Sequence, residues 1–243
     1  MKKKYSNPFP HIVIENFLNK NECENIIKEI DNNLKNLKSD FVMGGRKRIF
    51  ANLLKKEGFS YKLYKNFESI AKFKYFFKTL IRVNKFSNLK TNQNLEFNKI
   101  ENKRSNSILN KCKKKIFPFL FKKKVFLEMD FSRAKKGYTR EPHHDAPNKI
   151  LAFLIYLNNV ENKKKEGGSF EIYKYKKKEK LYSQTPQIKK LKLVKKIYPK
   201  RGTIIIFLSN PLSIHGVEKY KPIKKNSRYF IYGSYGSYFN INW

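Results

Sequence analysis

A chain of 243 residues with 40% hydrophobic and 15% aromatic content can bury one full core, so an intrinsically disordered polymer is excluded even though 30% of its residues are charged. Its 55 Lys and Arg against 19 Asp and Glu leave a formal charge of +36, which reads either as an anionic partner or as compositional drift. No apolar stretch reaches the ~18 residues of a membrane span.

Drift has a signature in the composition. Lys, Asn, Ile, Phe and Tyr, which have AT-rich codons, are abundant, and there are only five alanines. Drift does not account for the scarcity of Asp and Glu, so the anionic partner stays open. Cys23 and Cys112 form neither a metal-binding pair nor a disulfide framework, and a reducing, cytoplasmic setting is expected. The basic start is interrupted by Pro8, Pro10, His11 and Glu15, so no export signal is expected.

In chain order, residues 10–18 have strand composition. The stretch that follows places Ile26, Ile27, Ile30, Leu34 and Leu37 at helical spacing behind an Asn-rich start. Residues 43–48, MGGRKR, read as a glycine-containing turn. A second helix is expected over 67–84, with Ile70, Phe73, Phe77, Leu80 and Ile81 on one face. Residues 85–115 are polar and read as an insert. His11 lies outside every motif and reads as structural. From 116 onward the chain turns to short runs rich in β-branched and aromatic residues: KVFLEMDFSRA, KILAFLIYLNN, GGSFEIYKY, GTIIIFL and SRYFIYGSYGSYF. That pattern predicts an antiparallel sandwich or jelly roll. The Lys-rich stretch 174–201 reads as an elaborated connection, and Gly167–Gly168 as a turn before a strand. One division follows: residues 1–115 form a strand and helical region packing on the core, with a polar insert at about 85–115, and 116–243 form the core.

Three of the four histidines fall in two motifs, HHD at 143–145 and SIHGV around His215. In an extended segment residues i and i+2 point the same way, so His143 and Asp145 can converge on one ion. His144 then faces away, either supporting the ligands from behind or lying on the surface. Two histidines and one carboxylate make the facial triad that suits non-haem iron(II). Arg228, thirteen positions after His215, can pair bidentately with a carboxylate.

Together, His143-x-Asp145, LIYLNN, EGGSFEIY, PKRGTIIIF, SIHGV and Arg228 resemble the Fe(II)- and 2-oxoglutarate-dependent dioxygenases, and within them the prolyl-4-hydroxylase-like branch. The likeness spans about residues 125–236, and NPFPHIVIENFL is similar to the N-terminal segment of many members. The resemblance implies a mainly β fold, a double-stranded β-helix with N-terminal flanking helices. It implies an oxidoreductase that uses Fe(II), 2-oxoglutarate and O2, with ascorbate as an auxiliary reductant, and that hydroxylates an unactivated C–H bond while 2-oxoglutarate becomes succinate. Carried over residue by residue, His143, Asp145 and His215 are the iron ligands and Arg228 binds the distal carboxylate of 2-oxoglutarate. Tyr156 sits where prolyl hydroxylases often hold that carboxylate with a tyrosine, and it reads equally as a core aromatic. Tyr138 is a candidate for the cofactor pocket. Lys149 either faces the substrate or is an ordinary surface lysine.

The substrate stays open among a prolyl or peptidyl group, a small metabolite and a saccharide. An anionic polymer, either nucleic acid or a polysaccharide precursor, is the alternative that the charge suggests. Nucleic-acid-dealkylating members usually carry a second arginine six positions after the first, where this chain has Ser234. A non-catalytic jelly-roll metal-binding protein is the alternative from another class. Oligomeric state is not legible.

Overall fold

The computed structural model describes residues 1–36, 40–42, 45–84, 99–102, 124–179 and 183–238. Its strands are β1 (Lys2–Tyr5), β2 (His11–Ile14), β3 (Asp40–Val42), β4 (Arg46–Phe50), β5 (Lys99–Asn102), β6 (Lys124–Ala134), β7 (Arg140–His143), β8 (Lys149–Tyr156), β9 (Phe170–Tyr175), β10 (Leu191–Ile197), β11 (Ile204–Leu208), β12 (His215–Val217) and β13 (Arg228–Ser237). They form two sheets. The major sheet runs β1-β2-β11-β8-β13-β6-β4-β3, with β5 parallel beside β6. The minor sheet runs β10-β9-β12-β7. This is the expected double-stranded β-helix.

The major-sheet strands are apolar almost without break because both of their faces are covered. Period-2 alternation divides each strand between two clusters. Leu151, Phe153 and Ile155 of β8, with Ile204 and Ile206 of β11, face the helices. Ala152, Leu154, Ile205 and Phe207 face the minor sheet, where they meet Phe170 and Ile172 of β9. On β6 the alternation separates chemistry as well: Leu127, Met129 and Phe131 face the helices, and the alternate residues are Glu128, Asp130 and Ser132. Each fully buried Leu, Ile or Phe contributes about 1.5–3 kcal/mol.

Three longer helices cover the outer face: α1 (Lys20–Asn36), α2 (Phe59–Phe67) and α3 (Ile70–Asn84). A short α4 (Lys163–Glu166) precedes β9. Asn19 caps α1 reciprocally with Glu22, each side chain accepting from the other's backbone N–H at 2.9 and 2.7 Å. From α1, Glu29 accepts the first amides of α2, Phe59 at 2.7 Å and Ser60 at 2.9 Å. This is the favourable placing of a carboxylate at a helix N-terminus. Phe67 of α2 stacks on Phe153 at 4.4 Å, joining helix to sheet. No helix among the described residues is long and apolar enough to cross a membrane.

Several expectations change. The turn read at 43–48 gives way at Arg46 to strand β4. The stretch between the two expected helices holds α2, too short for its periodicity to show. Strand β5 lies inside the insert expected at 85–115, whose other residues, 85–98 and 103–115, are outside the described residues, as is Leu37. The Lys-rich connection 174–201 contains β10, which pairs with β9.

His11 is buried in β2. Its Nδ1 donates to the Phe9 carbonyl at 2.9 Å and its ring stacks on Tyr5 at 4.7 Å. Burial pushes its pKa down to about 4. The unfolded chain therefore binds a proton below pH 6.5 that the folded chain refuses until about pH 4, and stability is lost as pH falls through that window. The contribution is about 3 kcal/mol at most. His11→Phe should show a smaller fall in urea midpoint between pH 7.5 and 4.5 than the native chain. An equal fall in both proteins would place the acid sensitivity elsewhere.

Candidate metal centre

The two histidines are cross-strand neighbours. His143 ends β7, His215 begins β12, and the register pairs them directly. Their rings lie 4.5 Å apart. Each Nδ1 is hooked to the carbonyl two residues upstream, Glu141 at 2.8 Å and Ser213 at 2.9 Å. A carbonyl only accepts, so Nδ1 carries the proton and Nε2 keeps a lone pair. Asp145 follows just past the end of β7, and one ligand atom from each of His143, Asp145 and His215 lies within 4.8 Å of the others. Phe170 and Phe207 pack on the His215 ring at 5.4 and 4.6 Å. Burial, with His143 beside it, pushes the His215 pKa down to about 3. Burial likewise lowers His143. Both imidazoles are thus held neutral, the form that binds a metal.

Asp145 is gripped by one oxygen. Its Oδ1 accepts from Lys149 Nζ at 3.0 Å and from the Tyr232 hydroxyl at 3.0 Å, while Lys149 also donates to Tyr232 at 2.7 Å. The buried Oδ2 has no hydrogen-bond partner. Burial, the largest single influence, would raise the Asp145 pKa, but Lys149, His215 and His143 together outweigh it and hold the carboxyl well below the usual range. The reading of Lys149 as an ordinary surface lysine is corrected: its side chain lies inside, on Asp145. A β-bulge explains this. Tyr235 pairs with Leu151 and Gly236 with Lys149, so Ile150 is the extra residue and Lys149 is turned from the helix face toward the triad.

Arg228 opens β13 and is 1% exposed. Its Nε, Nη1 and Nη2 have no hydrogen-bond partner. The guanidinium sits over the rings of Phe230, Tyr156 and Tyr138 at 5.0, 5.2 and 5.7 Å. Tyr138 is on the cavity wall. Tyr156 stands behind Arg228. Its hydroxyl donates to the Ile197 carbonyl at 3.1 Å and accepts from the Phe170 amide at 3.0 Å, so its proton is already committed. Burial raises its pKa to about 12. The Gly167–Gly168 turn passes over this corner at φ +63° and +73°. A Cβ on Gly167 would meet the Lys219 carbonyl at 2.5 Å, and one on Gly168 would stand 3.6 Å from Arg228 Cδ.

His144 is outside the triad, as strand geometry predicts, but it is fully buried and not on the surface. Its Nε2 lies 3.0 Å from the Tyr175 hydroxyl of β9. Triad and Arg228 share one cavity of about 370 Å³ between the sheets, a size typical of small-molecule sites. Arg46, Arg48 and Arg140 also line it, and none of them was foreseen. The signal lay in the period-2 spacing of RKR, which puts Arg46 and Arg48 on one face of a strand.

The donor set fits iron(II) and a dicarboxylate. Two neutral imidazoles and one uncommitted carboxylate oxygen make a three-ligand face. A buried guanidinium with no anion beside it fits a carboxylate in the same cavity.

Comparison with known proteins agrees. Residues 129–235 match the family model described as the 2OG-Fe(II) oxygenase superfamily. No curated protein sequence matches the chain. Among solved structures, a Pseudomonas putida prolyl-4-hydroxylase is 13% identical, with 94% of this chain and 93% of that chain covered at a TM-score of 0.52. A Trichoplax adhaerens prolyl hydroxylase, solved with a peptide fragment of the hypoxia inducible factor oxygen degradation domain, is 14% identical over 93% and 83% at 0.53. HygX from Streptomyces hygroscopicus, with nickel and 2-oxoglutarate bound, is 11% identical over 96% and 85% at 0.52. At these identities the likeness establishes the fold. Residues 129–235, which contain the triad and Arg228, thus match the 2OG-Fe(II) oxygenase superfamily, on a chain with a prolyl-4-hydroxylase-like fold.

Proposed function

We propose that His143, Asp145 and His215 hold the iron, that Arg228 anchors the distal carboxylate of 2-oxoglutarate, and that the enzyme hydroxylates an unactivated C–H bond while 2-oxoglutarate is converted to succinate and CO2. The observation that carries this reading is the buried, anion-free guanidinium of Arg228 on the wall of the cavity that holds the triad. When bound, iron and 2-oxoglutarate supply the activation of O2. The protein supplies orientation. The Nδ1 hooks aim both imidazoles, and Lys149 with Tyr232 leaves Asp145 a single oxygen to offer. Tyr138, Tyr156 and Phe230 hold the guanidinium in place with their ring faces. Leu154, Phe170 and Phe207 line the wall with apolar surface that excludes water.

For the substrate, a prolyl or peptidyl group has the support of the Trichoplax protein, whose structure contains a peptide. A small metabolite has the support of HygX, also solved with hygromycin B. In this reading Lys149 positions Asp145, the interaction its Nζ makes.

Anaerobic addition of Fe(II) and 2-oxoglutarate should give a weak visible charge-transfer band. The reading fails if no band appears and no succinate forms in air. His143→Ala should abolish both signals, and His144→Ala should keep the band. If His144→Ala were the variant to lose iron, the ligand assignment would be wrong. Arg228→Ala should raise the 2-oxoglutarate requirement about 10–100-fold, as expected for a lost charge-assisted pair, with little change in iron affinity. An unchanged requirement would refute the anchor role. Lys149→Met should raise the iron requirement, read from the band, by roughly 10–100-fold, and Lys149→Arg should recover most of it. Unaltered iron titration in Lys149→Met would remove Lys149 from the centre.

A further inference from the structure

Three of the eight large apolar side chains exposed among the described residues fall close together in sequence: Ile188 at 61%, Leu193 at 40% and Val194 at 41%. Ile188 opens a single 3-10 turn (Ile188–Lys190) that leads into β10, and Leu193 and Val194 lie within β10. That strand is an edge of the minor sheet, with β9 as its neighbour. In a regular strand one of two successive side chains turns to the core. Here a β-bulge makes Val194 the extra residue between Leu193, opposite Tyr173, and Lys195, opposite Ile172. Both apolar side chains stay outside.

Around them the hairpin is basic. Lys174 of β9 stands directly opposite Lys192 of β10, a pairing of like charges that costs stability. Lys176, Lys177 and Lys178 follow β9, Lys189 precedes β10, and all six lysines are exposed. The carboxylates nearby are taken by other lysines, Glu179 by Lys190 and both Glu171 and Glu218 by Lys196. Among the described residues none of the six is paired with a carboxylate. Lysine and a bulge are common protection of an edge strand against pairing with another chain. They do not explain why the same edge leaves three aliphatic side chains bare. Lysines alone would carry no inference, because the whole exterior is rich in them. Their union with bare aliphatic side chains does.

An anionic lipid surface meets both demands at once. Its phosphate and carboxylate headgroups suit the ammonium groups, and the top of its acyl layer receives apolar side chains that project between them. A polynucleotide would satisfy the lysines but offers apolar contact chiefly through bases stacked on aromatic rings. The two tyrosines of the hairpin are engaged within the protein: Tyr173 donates to Glu171 at 2.5 Å, and the Tyr175 hydroxyl lies 3.0 Å from His144 Nε2. A second copy of the chain on this face would set lysine against lysine. We propose that the β9–β10 hairpin is a peripheral docking surface for an anionic phospholipid bilayer, with Ile188, Leu193 and Val194 entering the interface among the lysines. The connection that carries Ile188 also lends Gln184 to the wall of the cavity that holds the triad, so the docking surface adjoins that cavity. The inference stands independently of the oxygenase reading.

The test is sedimentation of the full chain with vesicles of phosphatidylcholine alone or with about one-third phosphatidylserine. Binding is expected to the anionic vesicles only, and it should weaken as salt is added. Leu193→Ser with Val194→Ser should lower the partition about tenfold or more, with Tm unchanged because both side chains are already exposed. Lys176→Gln with Lys177→Gln should lower it about tenfold. Lys163→Gln with Lys164→Gln, exposed on α4, removes equal charge elsewhere and should leave it nearly unchanged. Absence of binding to the anionic vesicles would overturn the proposal, as would an equal loss in the α4 pair. Native-like binding by the Leu193 and Val194 variant would refute the apolar contact. Duplex DNA that displaces the vesicles, with its own binding lost in the Lys176 and Lys177 variant, would assign the surface to nucleic acid instead. A dimer in sedimentation equilibrium that the Leu193 and Val194 variant dissolves would assign it to a second copy.

Discussion

A guanidinium at 1% exposure with no anion beside it sets the terms for the rest of this molecule. Removing a charge from water is expensive unless partners replace the solvent. Here the partners are aromatic faces: Phe230 on the same strand as Arg228, Tyr156 on β8 and Tyr138 before β7. None of them quenches the charge with a carboxylate, so the electrostatic demand of Arg228 points into the cavity. The glycine turn at 167–168 serves the same end. Only a residue without Cβ passes the Lys219 carbonyl with this left-handed backbone. Tyr156, tied at its hydroxyl to Ile197 and Phe170, fixes the ring that Arg228 lies against.

The metal face depends on strand ends. Strands β7 and β12 are four and three residues long, and their direct pairing sets His143 against His215. Asp145 lies past the end of β7 and receives no orientation from the ladder. Its orientation comes from the bulge at Ile150, which swings Lys149 into the cavity, and from Tyr232 of the neighbouring β13. One irregularity in an otherwise regular strand therefore decides which carboxylate oxygen stays uncommitted. A regular β8 would send Lys149 toward the helices, where no carboxylate of the triad lies.

The strongest parts of this design were legible because they rest on rare residues or long patterns. Four histidines in the chain made the pairing of His143 with His215 conspicuous, and the long apolar strands announced a sheet covered on both sides. The heptad-like spacing of α1 and α3 was equally readable. What stayed hidden has physical reasons. Strands β4, β7 and β12 are too short to show an alternation. The nine residues of α2 span too few turns for its periodicity to stand out. Arg46 and Arg48 follow two glycines in a chain full of cations, so they look like a solvated turn. Lys149 depends on a bulge, and a one-residue shift reverses the face of every side chain beyond it. Tyr156 could be placed beside Arg228, but the direction of its hydroxyl depends on Ile197, 41 residues away.

The charge of +36 also acquires a structural account. The few carboxylates among the described residues are mostly committed. Glu22 and Glu29 cap helices, Asp31 holds Arg133 and Tyr229, and Glu15 meets Lys200. Glu166 binds the loops around α4, and Glu171 and Glu218 share Lys196. Most of these acids thus have a partner within the fold. A global surplus built this way is spread over the exterior and screened within about 10 Å at moderate ionic strength. The charge of Arg228 inside the cavity differs in kind: it is 1% exposed and enclosed by the rings of Phe230, Tyr156 and Tyr138. There each unit of charge acts at lower dielectric and exerts a stronger pull than the same unit on the surface. Within the cavity the electrostatics are those of the few side chains around the His143, Asp145 and His215 triad, and the screened lysines of the exterior contribute little to them.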